Sequence, residues 1–83
     1  MPSYNETLSI TTEILRRHVL DRPEIKPTDH IQNDLGLDSL GVMELIAEIE
    51  DRFEVAIPNE MLAELSTVEQ VAKALLRLQE SRA

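Results

Sequence analysis

A chain of 83 residues holds one small hydrophobic core and no second domain, so residues 1–83 are read as a single unit with an ordered core over about residues 4–79. With no cysteine it has no disulfide framework, no thiolate metal site and no thiol nucleophile of its own. A formal net charge of −8 and a pI near 4.6 disfavour nucleic acid and anionic membranes, whose phosphates demand a positive footprint, and favour basic protein partners.

The charge is unevenly spread. Residues 34–64 hold nine acids against Arg52 alone, while the segments on either side come close to neutrality. A hydrophobic fraction of 42% with one Tyr, one Phe and no Trp describes an aliphatic core of the kind helices pack well. Nowhere do about 18 apolar residues run together, and the first twenty residues lack a basic n-region, so no membrane insertion is expected and a cytoplasmic location is.

In chain order, Leu8, Thr11, Ile14, Leu15 and Val19 recur at helical spacing, with Glu6, Glu13, Arg16 and Arg17 off that stripe. They predict an amphipathic first helix over about residues 6–19, ending near Leu20 because Pro23 and Pro27 forbid continuation. The connection 21–38 is long for a compact domain, and Ile25, Ile31, Leu35 and Leu37 are its candidate anchors in the core.

A second helix is predicted from Asp38 or Ser39 to about Phe53. At roughly 100° per residue, Val42, Leu45, Ile46, Ile49 and Phe53 share the core side. Leu40, Met43, Glu44, Ala47, Glu48, Asp51 and Glu54 share the other, an acidic face with apolar residues embedded in it, which suits partner binding better than mere solvation. Pro58 opens a short third helix through Met61, Leu62 and Leu65. The fourth carries two candidate capping boxes, Ser66-x-x-Glu69 and Thr67-x-x-Gln70, ahead of Val68, Val71, Ala72, Leu75 and Leu76, with fraying expected after Gln79. The fold class is therefore all-α, a small four-helix bundle of three longer helices and one short one with a long first loop.

"NDLGLDSLGVMEL" at residues 33–45 poses the functional question. Asp38 suits the cap of the second helix, which leaves Ser39 spare at a helix start, where free amides and the positive end of the dipole favour a phosphate. Gly36 and Gly41 are expected to leave room there for a bulky modifying group. From Asp38-Ser39 alone, an ordinary capping pair is the commoner outcome. An EF-hand reading fails on register, because with Gly36 sixth, Ile31 and Leu35 fall where oxygen ligands belong. His18 and His30 have no ligand-spaced partners, so no metal is expected, and the carboxylates Glu44, Glu48 and Asp51 lack the pocket that acid–base catalysis requires.

The run "DLGLDSL", then Glu44-Leu45, then "EDRFEVAIP" at residues 50–58, resembles the acyl carrier protein family over nearly the whole chain. The resemblance implies a four-helix bundle and a carrier, not an enzyme. It implies that Ser39 receives 4′-phosphopantetheine from coenzyme A through a phosphopantetheinyl transferase, with Asp38 as the cap beside the site. It also accounts for the missing cysteine, because the thiol arrives with the prosthetic arm. The expected partners are that transferase and the acyl-loading and acyl-processing enzymes of fatty acid or polyketide assembly, meeting a monomer at Leu40, Met43, Glu44, Ala47, Glu48 and Asp51. A stand-alone aminoacyl or peptidyl carrier is the nearest alternative, and an unmodified acidic helical adaptor the more distant one.

Overall fold

The computed structural model describes residues 3–19 and 24–81, and over them the protein is all-α. Its elements are α1 (Tyr4–His18), α2 (Ser39–Phe53), α3 (Asn59–Leu62) and α4 (Val68–Ser81). The long connection between α1 and α2 is therefore present as expected, while Leu20 and Pro23 lie outside the described residues.

Helix α1 starts two residues before the periodicity predicts because Ser3 caps it, its hydroxyl accepting the Glu6 N–H at 3.1 Å. It ends at His18, with Val19 N–H closing onto Leu15 O. Thr7 and Thr11 are buried without loss of hydrogen bonding, since the Thr11 hydroxyl donates to Thr7 O at 2.8 Å. Helix α2 has the predicted bounds. Glu54, in the left-handed conformation at φ 56°, ends it, and the Glu50 carboxylate accepts the Ile57 N–H at 2.7 Å, folding the following segment back.

The short helix is smaller than predicted. Only Asn59–Leu62 is helical, and Leu65 lies beyond it, where Glu64 and Leu65 donate to Met61 O and Leu62 O in tight three-residue turns. Pro58 at its start supplies a fixed φ and no side-chain cap. Helix α4 runs through Ser81, past the predicted fraying point at Gln79; the Ser81 hydroxyl donates to Arg77 O and the Gln79 amide reaches the Thr7 hydroxyl.

One core joins these elements. Ile14 and Leu15 of α1, Leu45, Ile46 and Ile49 of α2, and Val68, Val71 and Leu75 of α4 meet there, α1 packing on both α2 and α4. Each such side chain contributes about 1.5–3 kcal/mol by leaving water. Ile25, Ile31 and Leu35 anchor the long connection as predicted, whereas Leu37 is half-buried at its edge. The predicted core residues Val42, Phe53 and Leu76 are likewise half-buried, Val42 because it borders an open cleft. Backbone bonds complete the attachment: Ile31 N–H donates to Ser66 O at 2.8 Å, Val68 N–H to Asp29 O at 3.1 Å and Glu69 N–H to Pro27 O at 2.9 Å. The connection is thereby fastened to the start of α4, and this fixes where α2 begins.

Candidate functional site

The site grows out of a turn. Residues 31–35 coil once, with Asp34 and Leu35 N–H both donating to His30 O, and Gly36 at φ 76° then reverses the chain. A side chain at Gly36 would meet nothing within 4 Å, so it is the left-handed backbone and not a need for space that calls for glycine there. Leu35 is buried, Leu37 is half-buried, and Asp38 follows in an extended conformation as the N-cap of α2.

The Asp38 carboxylate accepts the Gly41 N–H at 2.7 Å, which satisfies the third amide of α2. Ser39, the first helical residue, is exposed, and its hydroxyl has no hydrogen-bond partner among the described residues. The expectation that Gly41 makes room for a modifying group is corrected. A Cβ there would lie 3.1 Å from the Asp38 carboxylate and 3.3 Å from Leu37 Cδ2, so the space belongs to the cap.

Beside Ser39 lies a cavity of about 280 Å³ lined by His30, Gln32 and Ser66 together with Val42, Leu62 and Leu65. It shares Ile31, Val42, Leu62 and Leu65 with a larger apolar cleft of about 490 Å³ between α2 and α3, whose far side includes Ile46, Ile57 and Asn59. Nothing in the sequence pattern marked His30, Gln32 or Ser66 as neighbours of Ser39. They meet because the connection crosses the start of α4.

The outer face of α2 carries two large exposed apolar side chains, Leu40 at 66% and Met43 at 70% exposure, beside the exposed Glu44, Ala47 and Asp51. Glu48 differs from its neighbours in that face. It is half-buried and turned to α1, its carboxylate bound by the Arg17 guanidinium on one oxygen and by His18 Nε2 at 2.8 Å on the other. Arg17 and His18 gave no sequence signal for this pairing, which joins residues 30 and 31 positions apart. Among the described residues no helix is long and apolar enough to cross a membrane.

The residues present fit a phosphopantetheine arm: a serine hydroxyl that is exposed, unengaged and spared from capping, next to a cavity leading into an apolar cleft. Comparison with known sequences points the same way. Residues 8–75 match the model of the family described as "Phosphopantetheine attachment site". An acyl carrier protein of Streptomyces coelicolor is 48% identical over 52 residues, which cover 63% of this chain and 56% of that protein. Acyl carrier proteins of Chlorobium phaeobacteroides and Chlorobium phaeovibrioides are 38% and 36% identical over 64 residues, covering 77% of this chain and 82% of each of theirs. With a family match across most of its length and relatives aligned over more than three quarters of it, the chain belongs to the acyl carrier protein family, whose members are carriers of 4′-phosphopantetheine and not catalysts.

Proposed function

We propose that Ser39 is the attachment residue and that the chain carries acyl intermediates of fatty acid or polyketide assembly between enzymes. The observation that carries this reading is the division of labour at the start of α2, where Asp38 caps the helix and the Ser39 hydroxyl is left exposed and unengaged. In the modification, Ser39 Oγ forms a bond to the β-phosphorus of coenzyme A, 3′,5′-adenosine bisphosphate leaves, and the hydroxyl proton passes to the transferase. Once attached, the group supplies the thiol that this cysteine-free chain lacks, so that acyl groups travel as thioesters.

The chain's own residues then do three things. Asp38 holds the first turn of α2 so that Ser39 stays presented at the surface. Leu40, Met43, Glu44, Ala47 and Asp51 form the docking face for the transferase and the acyl-handling enzymes, the acids steering basic partners and the two apolar side chains being buried on docking. Glu48, held by Arg17 and His18, contributes to that face less than its neighbours do. The cleft between α2 and α3, whose lining is mostly aliphatic, gives an apolar chain shelter from water, which favours acyl over aminoacyl cargo.

The test is intact mass after incubation with coenzyme A and a promiscuous phosphopantetheinyl transferase. Gain of one phosphopantetheine by the wild type and none by Ser39→Ala supports the assignment. No gain by the wild type returns the chain to the unmodified adaptor reading. Gain by Ser39→Ala places the attachment elsewhere. Identification of the thioester released from holo-protein purified from its source separates acyl from aminoacyl cargo.

A further inference from the structure

His30 is held in an unusual way for a half-buried loop histidine. Its backbone N–H donates to the Asp34 carboxylate at 2.6 Å, and its backbone forms an isolated bridge with Thr67 at the start of α4. The ring caps its own turn: Nδ1 accepts the Gln32 N–H at 3.2 Å and the Asn33 N–H at 3.0 Å. Backbone amides are always donors, so Nδ1 presents its lone pair and the neutral ring carries its hydrogen on Nε2. Among the described residues that Nε2–H has no acceptor, and His30 is one of the residues lining the cavity that Ser39 also lines. No Lys or Arg among the described residues lines that cavity. A phosphodiester placed there would find neutral donors only, and a hydrogen bond to an anion is about twice as strong as one between neutral groups.

We propose that His30 is a positioning residue for the prosthetic arm, its Nε2–H donating to a phosphodiester oxygen of the group on Ser39 and turning the arm over the cavity toward the apolar cleft. The proposal rests on the Ser39 reading. The backbone supplies the orientation: two amides fix the tautomer and the ring plane before any arm is present, so little freedom is lost when the bond forms. No proton is transferred. The consequence is directional, because an arm held at its phosphate leaves Ser39 on the side of the cavity, toward the cleft that Met43 and Ala47 also border, and not past Leu40 and Glu44.

The test compares apo- and holo-protein, with intact mass read first. Failure of the wild type to gain the group overturns the Ser39 assignment and the His30 proposal with it. Given the gain, long-range ¹H–¹⁵N spectra of the imidazoles are recorded for both forms. The expected result is His30 in the Nε2–H tautomer throughout, with its Nε2–H signal shifted and its exchange with water slowed severalfold in the holo form, while His18 of α1, held by Glu48 of α2, stays unchanged. A His30 signal identical in the two forms overturns the proposal while leaving Ser39 assigned. Two variants sharpen the result through the ³¹P signal of the arm. His30→Asn keeps an acceptor near the Nδ1 position but loses the Nε2 donor, and its ³¹P signal is expected to move toward that of a free phosphodiester. His30→Gln, whose amide reaches toward the Nε2 position, is expected to restore part of the shift. A ³¹P signal in folded His30→Asn equal to the wild type's overturns the proposal, and the apo–holo comparison decides it if neither variant folds.

Discussion

Helices α2 and α4 both begin at a short polar side chain, yet their starts are put to opposite uses. At α4 the hydroxyl of Thr67 accepts the Gln70 N–H, the Gln70 side chain reaches back to the amides of Ser66 and Thr67, and the carbonyls of Pro27 and Asp29 accept from Glu69 and Val68. That helix end is fully engaged with its own protein. At α2 the Asp38 carboxylate alone caps, Ser39 and Leu40 are exposed, and a cavity opens beside them. A start closed by local and tertiary bonds serves the fold, and one left with a spare hydroxyl is where we propose that the prosthetic arm attaches.

The sharpest way to break that contrast is to remove each hydroxyl in turn. Ser39→Ala is expected to abolish modification while changing stability by no more than about 0.5 kcal/mol, since Asp38 does the capping. Thr67→Ala is expected to cost about 1 kcal/mol and leave modification intact. Intact mass and urea midpoints read both, and a large loss of stability in Ser39→Ala would show that the serine is a cap after all.

A second contrast lies between the core and the cleft within α2 itself. Ile49 is fully buried, as is Leu75 in the same core cluster, and replacement of either by Ala is expected to cost roughly 2–5 kcal/mol. Val42→Ala, at the half-buried cleft wall, should cost clearly less. Equal urea midpoints for Ile49→Ala and Val42→Ala would remove the distinction.

Charge placement separates α2 from the rest of the surface. Reversing Glu44 and Asp51 to Lys is expected to slow modification by about tenfold at low salt, less as salt rises. Reversing the exposed Glu13 and Glu80 changes the net charge equally on α1 and α4 and should slow it much less. Equal slowing would mean that total charge, not the face of α2, governs encounter.

The smallest expected effect concerns the two glycines before and within α2. Gly36→Ala forces a side chain into the left-handed region and is expected to cost about 1 kcal/mol. In Gly41→Ala the gain of about 1 kcal/mol in helix propensity is set against pressure of the new Cβ on Asp38 and Leu37, so the net change should be close to nil. Thermal unfolding of the two variants side by side measures the difference.

Short-range rules were enough to read the helices and most anchors of the long connection from the chain, and the family resemblance singled out Ser39 as the proposed attachment residue. A 3.6-residue period places Leu45 and Ile49 inward and Leu40 and Met43 outward whatever the helix packs against, and Asp38 caps the amide of Gly41, three residues ahead. The early start of α1 was locally encoded as well, since Ser3 with Glu6 is itself a capping pattern. Packing between elements decided which carboxylates of α2 remain free and what surrounds Ser39. Arg17 and His18 reach Glu48 from another helix, and His30, Gln32 and Ser66 meet Ser39 because the connection is bonded to the start of α4. Such neighbours are set by how elements pack, and a pairing across some thirty positions leaves no periodic trace in the chain.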